Sequence, residues 1–200
     1  MIRMYSGRIL DPWTLKPGDL TARDVGHHLS MLCRYAGAVR SFYSVAEHCI
    51  IVSRLVGLQM IGASTSESKG ARRRALQAVL WAQIHDAGEA VFVDVPRDVK
   101  HAQGMERYRD GEREATRSFA VSLGLPPEPP PIVDKIDKEL VATEKAQLLY
   151  RPELPDDGLL EEPIIRGLVL GCMPPAEAET AWLSRFQELL RAYRSEEPAL

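Results

Sequence analysis

Cysteine is scarce in this 200-residue chain: Cys33, Cys49 and Cys172 are odd in number and form no C-x-x-C pair. That argues against a disulfide framework and against a zinc cage built on thiolates. Long apolar runs are missing too. None approaches the ~18 to 20 residues a bilayer crossing needs, and the N-terminal MIRMYSGRILDPW has no apolar signal-peptide centre. Nor is there an excess of positive charge. The net charge of -3 speaks against broad binding to nucleic acid or anionic lipid. The expectation is a cytoplasmic protein with neither a membrane nor a nucleic-acid partner. No internal repeat is visible. What remains is an ordinary globular composition, 45% hydrophobic and 26% charged, in a chain long enough for one domain with a sizeable core.

Helical periodicity dominates the rest. Residues 1–20 carry short apolar pieces broken by Gly7, Asp11-Pro12 and Pro17-Gly18, which predicts a small hairpin or arm pinned by Tyr5 and Trp13. Thr21 or Asp24 caps a first short helix, which Gly37 ends. Ser44-Val45-Ala46-Glu47 is a capping-box pattern opening a helix to about Val56, with His48 in its first turn. Residues 62–73 are small, polar and charged and predict a flexible loop. A buried helix over 75–84 delivers His85-Asp86, and a helical turn and loop, favoured over a strand, follow over 90–96. Helices over 105–123 and 132–150, a loop over 152–163, a last helix after Pro174-Pro175 and a frayed tail over 195–200 complete the chain. The predicted fold is an all-α single domain, a helical bundle with a small N-terminal hairpin or arm.

Chemistry concentrates at His48, His85, Asp86 and Asp137. Two imidazoles and two carboxylates from three helices suit a divalent first-row metal that polarises an oxygen or activates water. Asp137 sits on an apolar stripe with Val133, Ile136 and Leu140, where a carboxylate would cost several kcal/mol unless it is paired or metal-bound. Glu144 shares that stripe.

The H…HD…D pattern resembles the HD-domain superfamily of metal-dependent phosphohydrolases. YSGR, SMLCRYAG, FYSVAEH, LWAQIHDAGEA, DVPRDVK and IDKELVATE are similar to one subgroup, the 5'-deoxynucleotidase-like and dATP triphosphohydrolase proteins, over roughly residues 4 to 190. The resemblance implies a divalent ion (Zn, Co, Mn or Mg) on His48, His85, Asp86 and Asp137, with Asp134 as competitor for the last place. It implies that Glu89 handles the attacking water or the leaving group, and that Asp94 contacts the sugar or a further metal. Arg34 and Lys100 would bind phosphate, Tyr35 would pack on the base, and His27 would line the pocket. The implied substrate is a small-molecule deoxynucleotide. Hydrolysis of a dNTP to deoxynucleoside and triphosphate comes first, with a deoxynucleoside monophosphatase and a non-catalytic nucleotide-binding module as alternatives. A homo-oligomer is expected. Gly88 and Asp98 depart from the subgroup's pattern, and residues 62–70 look like an insertion.

Overall fold

Ser44 and Ser68 set where the two central helices begin. Each lends its hydroxyl to a backbone N–H one turn on, Glu47 at 3.1 Å and Ala71 at 3.3 Å. The helices they open are α2 (Val45–Ala63) and α3 (Lys69–Ile84), which pack along each other. The structure, a computed structural model, describes residues 1–63, 68–149 and 164–196.

Around this pair run β1 (Ile2–Arg3), β2 (Ile9–Leu10), α1 (Ala22–Met31), α4 (Glu89–Phe92), α5 (Arg97–Lys100), α6 (Glu106–Ser122), α7 (Pro131–Leu148) and α8 (Pro175–Ser195). The fold is all-α with a two-stranded antiparallel N-terminal hairpin, Ile2 opposite Leu10. Val45, Cys49, Ile50 and Val52 of α2, Leu80, Trp81 and Ile84 of α3, and Trp182 of α8 form the buried centre. No described helix is long and apolar enough to cross a membrane.

The hairpin is fastened by polar contacts. Ser6 donates to the buried Asp24 from both its backbone N–H (2.7 Å) and its hydroxyl (3.0 Å). Tyr5 stacks on His27 with ring centroids 3.5 Å apart, and Trp13 meets Phe92 edge-on at 5.1 Å. Both aromatics pin the arm as expected. Gly26 lets α1 press against α8: a Cβ there would lie 2.9 Å from the Trp182 ring.

Three boundaries differ from the sequence expectation. The loop expected over 62–73 is helical at 62–63 and 69–73, because α2 runs to Ala63 and α3 starts at Lys69. Polarity there marks an exposed helix start rich in good helix formers (Lys, Ala, Arg) rather than a loop. The first helix ends at Met31, not Gly37. Leu32 is extended, Cys33 bridges to Ser44, and Arg34–Gly37 form a separate 3-10 turn. The helix expected to stop near Val56 continues to Ala63. The loop expected over 152–163 and the end of the tail, 197–200, lie outside the described residues.

Candidate metal centre

Helix α2 presents His48 one residue beyond its capped first turn, and α3 ends on His85 with Asp86 immediately after. Asp137 comes from the middle of α7. Nε2 of His48 lies 3.2 Å from Nε2 of His85 and 3.0 Å from Oδ1 of Asp137. Asp86 Oδ2 is 3.3 Å from His85 Nε2 and 3.7 Å from His48 Nε2. All four expected ligands therefore converge. Ligand atoms of His48, His85 and Asp137 all fall within 4.8 Å of one another. Asp134 is exposed and paired with Lys138 at 2.7 Å, so the geometry chooses Asp137.

What lies behind the two imidazoles decides how they can be used. His85 Nδ1 is 2.8 Å from the carbonyl of Ala82, which only accepts, so that nitrogen carries the proton. His48 Nδ1 is 2.7 Å from Oε1 of Glu144 and donates to it. Both rings therefore point Nε2 at the same place as two carboxylates, and in its neutral form each would offer a lone pair there. Positive charge between these groups satisfies them, whether it is carried by protons on Nε2 or by a metal ion. This donor set of imidazole nitrogens and carboxylate oxygens, each ring oriented from behind, fits a divalent transition metal.

Glu144 is the hub of that support. It is fully buried and takes four donors: His48 and Tyr43 (2.8 Å) on Oε1, Tyr35 (2.9 Å) and Arg34 Nε (3.2 Å) on Oε2. Burial pushes its carboxyl up, but Arg34, His48 and the hydrogen bonds outweigh that and bring it down to about 2. Burial likewise opposes ionisation of Asp137, and the bonds from His48 and His85 hold it far below the carboxylate range. Burial pulls both histidines down. Asp86 at His85, and Glu144 and Asp137 at His48, reverse the sign and raise them. Negative charge surrounds the rings, as a cation site requires.

Sequence reasoning leaves Glu144 on the α7 stripe without a role. Its signal is the burial implied by Leu140 and Leu148 beside it. Cys49 is missed as well: its thiol falls within 4.8 Å of His85 and Asp86 ligand atoms, and burial pushes it up to about 11.

Arg34 and Tyr35 sit on a backbone turned left-handed at three consecutive residues, Tyr35 (φ 57), Ala36 (φ 51) and Gly37 (φ 80). Only Gly takes that conformation at little cost. The turn aims both side chains at Glu144, and Arg34 also reaches Asp86 at 3.6 Å. Glu47, the far member of the capping box, does not return to Ser44. Its carboxylate accepts the N–H groups of Cys172 (2.9 Å) and Met173 (2.7 Å).

The second half of the site lies beyond Asp86. Glu89 begins α4, is 4% exposed, and accepts from Lys100 Nζ at 3.3 Å. Lys100 also donates to Glu112 of α6 at 2.9 Å. The remaining oxygens, Oε2 of Glu89 and of Glu112, are buried with no partner among the described residues. Burial, then Asp86 and Asp94, push the Glu89 carboxyl well up; burial and Asp86 raise Asp94 against the pull of Arg34. Glu112 escapes the sequence reading because it lies in the charged sequence of α6 and becomes half-buried only where Lys100 folds onto it.

Asp94 is delivered by strain. Val93 has φ 60 and ψ 163, a region that β-branched residues avoid, and the Tyr108 hydroxyl lies 2.6 Å from the carbonyl oxygens of both Phe92 and Val93. Gly88 is required where it stands. A Cβ would lie 2.2 Å from the Glu112 carbonyl, so α4 and α6 could not approach, and its N–H donates to Thr116 at 2.9 Å.

A groove of about 410 Å³ opens beside His85 and Lys100, between α6 and the start of α7. Arg34 and Tyr35 are not among its lining residues. His27 takes Tyr5 and Glu179 as partners, the latter at 2.9 Å, and touches no ligand of the centre. Asp98 is exposed on α5.

No protein-family model matches the chain. The uncharacterized protein RCAP_rcc00048 of Rhodobacter capsulatus is 32% identical over 199 residues, with 95% of each chain covered. The uncharacterized protein YfdR of Escherichia coli (strain K12) is 27% identical over 194 residues, with 94% of each covered.

Proposed function

This chain belongs to the same family as RCAP_rcc00048, and we propose that it is a divalent-metal-dependent phosphohydrolase acting on deoxynucleotides, with a dNTP as substrate and triphosphate as a product. One observation carries the metal part of that reading. His48 and His85, each donating its Nδ1–H to an outer acceptor, bring both Nε2 atoms to one point shared with Asp137 and Asp86. The resemblance of the H…HD…D pattern to HD-domain enzymes supplies the reaction class.

His48, His85, Asp86 and Asp137 would hold the ion. When bound it would supply Lewis acidity toward a phosphoryl oxygen and lower the pKa of water to near neutrality. The chain's own groups supply the rest. Glu89, its carboxyl raised by burial and by Asp86, can give a proton to a leaving oxygen when protonated or take one from water when ionised. Lys100 offsets Glu89 and Glu112 and places positive charge at the mouth of the groove. Arg34 neutralises Glu144 and Asp86, which keeps both oriented. Asp94 lies in the field of Arg34 and Lys100, where a sugar hydroxyl could be held.

Metal analysis of the purified protein and two variants tests the ligand set. The wild type is expected to retain a divalent ion, Asp137→Ala to lose it, and Asp134→Asn to keep it. An Asp137→Ala protein with unchanged metal content would contradict the assignment. Incubation with each dNTP and dNMP in Zn, Co, Mn and Mg, reading triphosphate, pyrophosphate and phosphate separately, tests the reaction. Triphosphate absent from every dNTP mixture sinks the first choice. Phosphate from dNMPs alone would establish the monophosphatase instead.

A further inference from the structure

Arg109, Arg113 and Arg117 recur every fourth residue along α6 and so lie on one face of that helix. All three line the groove that begins at His85, and Lys100 and His101 line it from the α5 side. Eight residues of helix separate the first guanidinium's position from the last, about 12 Å at ~1.5 Å per residue. A single tetrahedral anion needs no stripe of that length. A chain of linked phosphates does.

The three arginines are not equally committed. Arg109 donates to the Lys100 carbonyl at 2.7 Å and so fixes the turn that carries Lys100. Arg113 pairs only loosely with Asp110, at 3.6 Å with the two side chains 68% and 72% exposed. Arg117 meets the exposed Glu114 at 3.6 Å and the exposed Glu128, and its Nε is buried without a partner among the described residues. Exposed pairs of this kind contribute little and are screened by salt. A multivalent anion can replace those carboxylates, because a guanidinium forks onto phosphate oxygens with two parallel bonds. Glu112, Glu128 and Asp134 also line the groove, so its affinity comes from the placed arginines and not from bulk positive charge.

We propose that this groove is a binding site for a linear polyphosphate chain, running from the His85 edge along Arg113 and Arg117. The proposal rests on the phosphohydrolase reading for one point, that the chain belongs to a nucleotide substrate. On that reading it makes the length of the phosphate chain the feature the protein selects.

Calorimetric titration of the full-length protein with sodium tripolyphosphate and with orthophosphate tests it, in the wild type and in R113A/R117A. Neither arginine side chain is buried in the core, so the variant should fold, and its melting temperature verifies that. Tripolyphosphate is expected to bind at least tenfold more tightly than orthophosphate, and the double substitution to remove at least tenfold of that affinity while orthophosphate changes less than twofold. Equal affinities in the wild type, or unchanged tripolyphosphate binding in R113A/R117A, overturn the proposal. A chelator-treated sample repeats the titration. Persistence of the preference supports the arginine stripe, whereas its disappearance with the metal assigns the binding to the ion and overturns the stripe. Metal content is measured on the same samples. A wild type devoid of divalent ions would undo the metal reading and leave the groove to be judged on the arginine variants alone.

Discussion

The two halves of the site are built on opposite terms. Around His48, polar groups are matched: Glu144 takes four donors, Arg34 reaches two carboxylates, and both imidazoles are locked from behind. Around Glu89 the matching stops. A buried and a half-buried carboxylate share one lysine and keep two buried oxygens unpartnered among the described residues, next to a backbone outlier at Val93. A saturated network holds a geometry, because any movement breaks several bonds at once. An unsaturated one leaves acceptors for whatever arrives, at a cost in stability that the surrounding fold must cover. The first half suits holding a cation and the second suits moving a proton.

Breaking the saturated half should have the largest effect. Glu144→Ala strands Arg34 and His48 in a buried setting and should cost about 3–5 kcal/mol in chemical denaturation. Metal affinity should also fall about 10–100-fold, because His48 loses its outer partner. Stability near its full value in that variant would dissolve the contrast. Acid probes the same hub. A carboxyl held at about 2 when folded, against an ordinary 4.5, contributes stability present above pH 4.5 and lost as pH falls toward 2. That contribution is about 3 kcal/mol. Denaturation of the metal-free protein from pH 5 downward should show the loss, and Glu144→Gln should flatten it.

How much of this is legible turns on the kind of signal each residue leaves. Asp137 announces itself because a carboxylate among Val133, Ile136 and Leu140 breaks a pattern, and in the structure it faces the histidines. The seven-residue step from Asp137 to Glu144 is visible too, but not that Tyr35, Tyr43 and Arg34 from another part of the chain meet there. Glu112 breaks no pattern, since it lies among the charges of α6. Its burial is tertiary, made by Lys100. The start of α3 misleads for a related reason: polar sequence reports exposure, and exposed helix starts and loops share it.

The unsaturated half can be sharpened by two smaller changes. Gly88→Ala forces a Cβ to within 2.2 Å of the Glu112 carbonyl, and one helix must retreat. Overpacking of this sort costs about 1–3 kcal/mol. The lowered melting temperature should accompany a larger loss of activity, because Glu89, Lys100 and Glu112 spread apart. Val93→Gly should act in the other direction. Relief of about 1–3 kcal/mol of backbone strain, against roughly 0.5–1 for the entropy of an added glycine, predicts a gain near 1 kcal/mol. A destabilised Val93→Gly protein would show that the outlier carries no strain.

Glu47 bears on how the molecule is made. Its buried carboxylate, one residue before His48, finds its partners in the backbone of Cys172 and Met173, about 125 positions later. The shelter over Gln83, two residues before His85, comes from Trp182. His48, His85, Asp86 and Asp137 therefore all precede in sequence the segment that anchors the helices presenting the two histidines. A truncation before residue 172 would keep these four residues but take from Glu47, on the helix that carries His48, its backbone partners Cys172 and Met173. The geometry around His48 and His85 thus depends on a segment far along the chain from either of them.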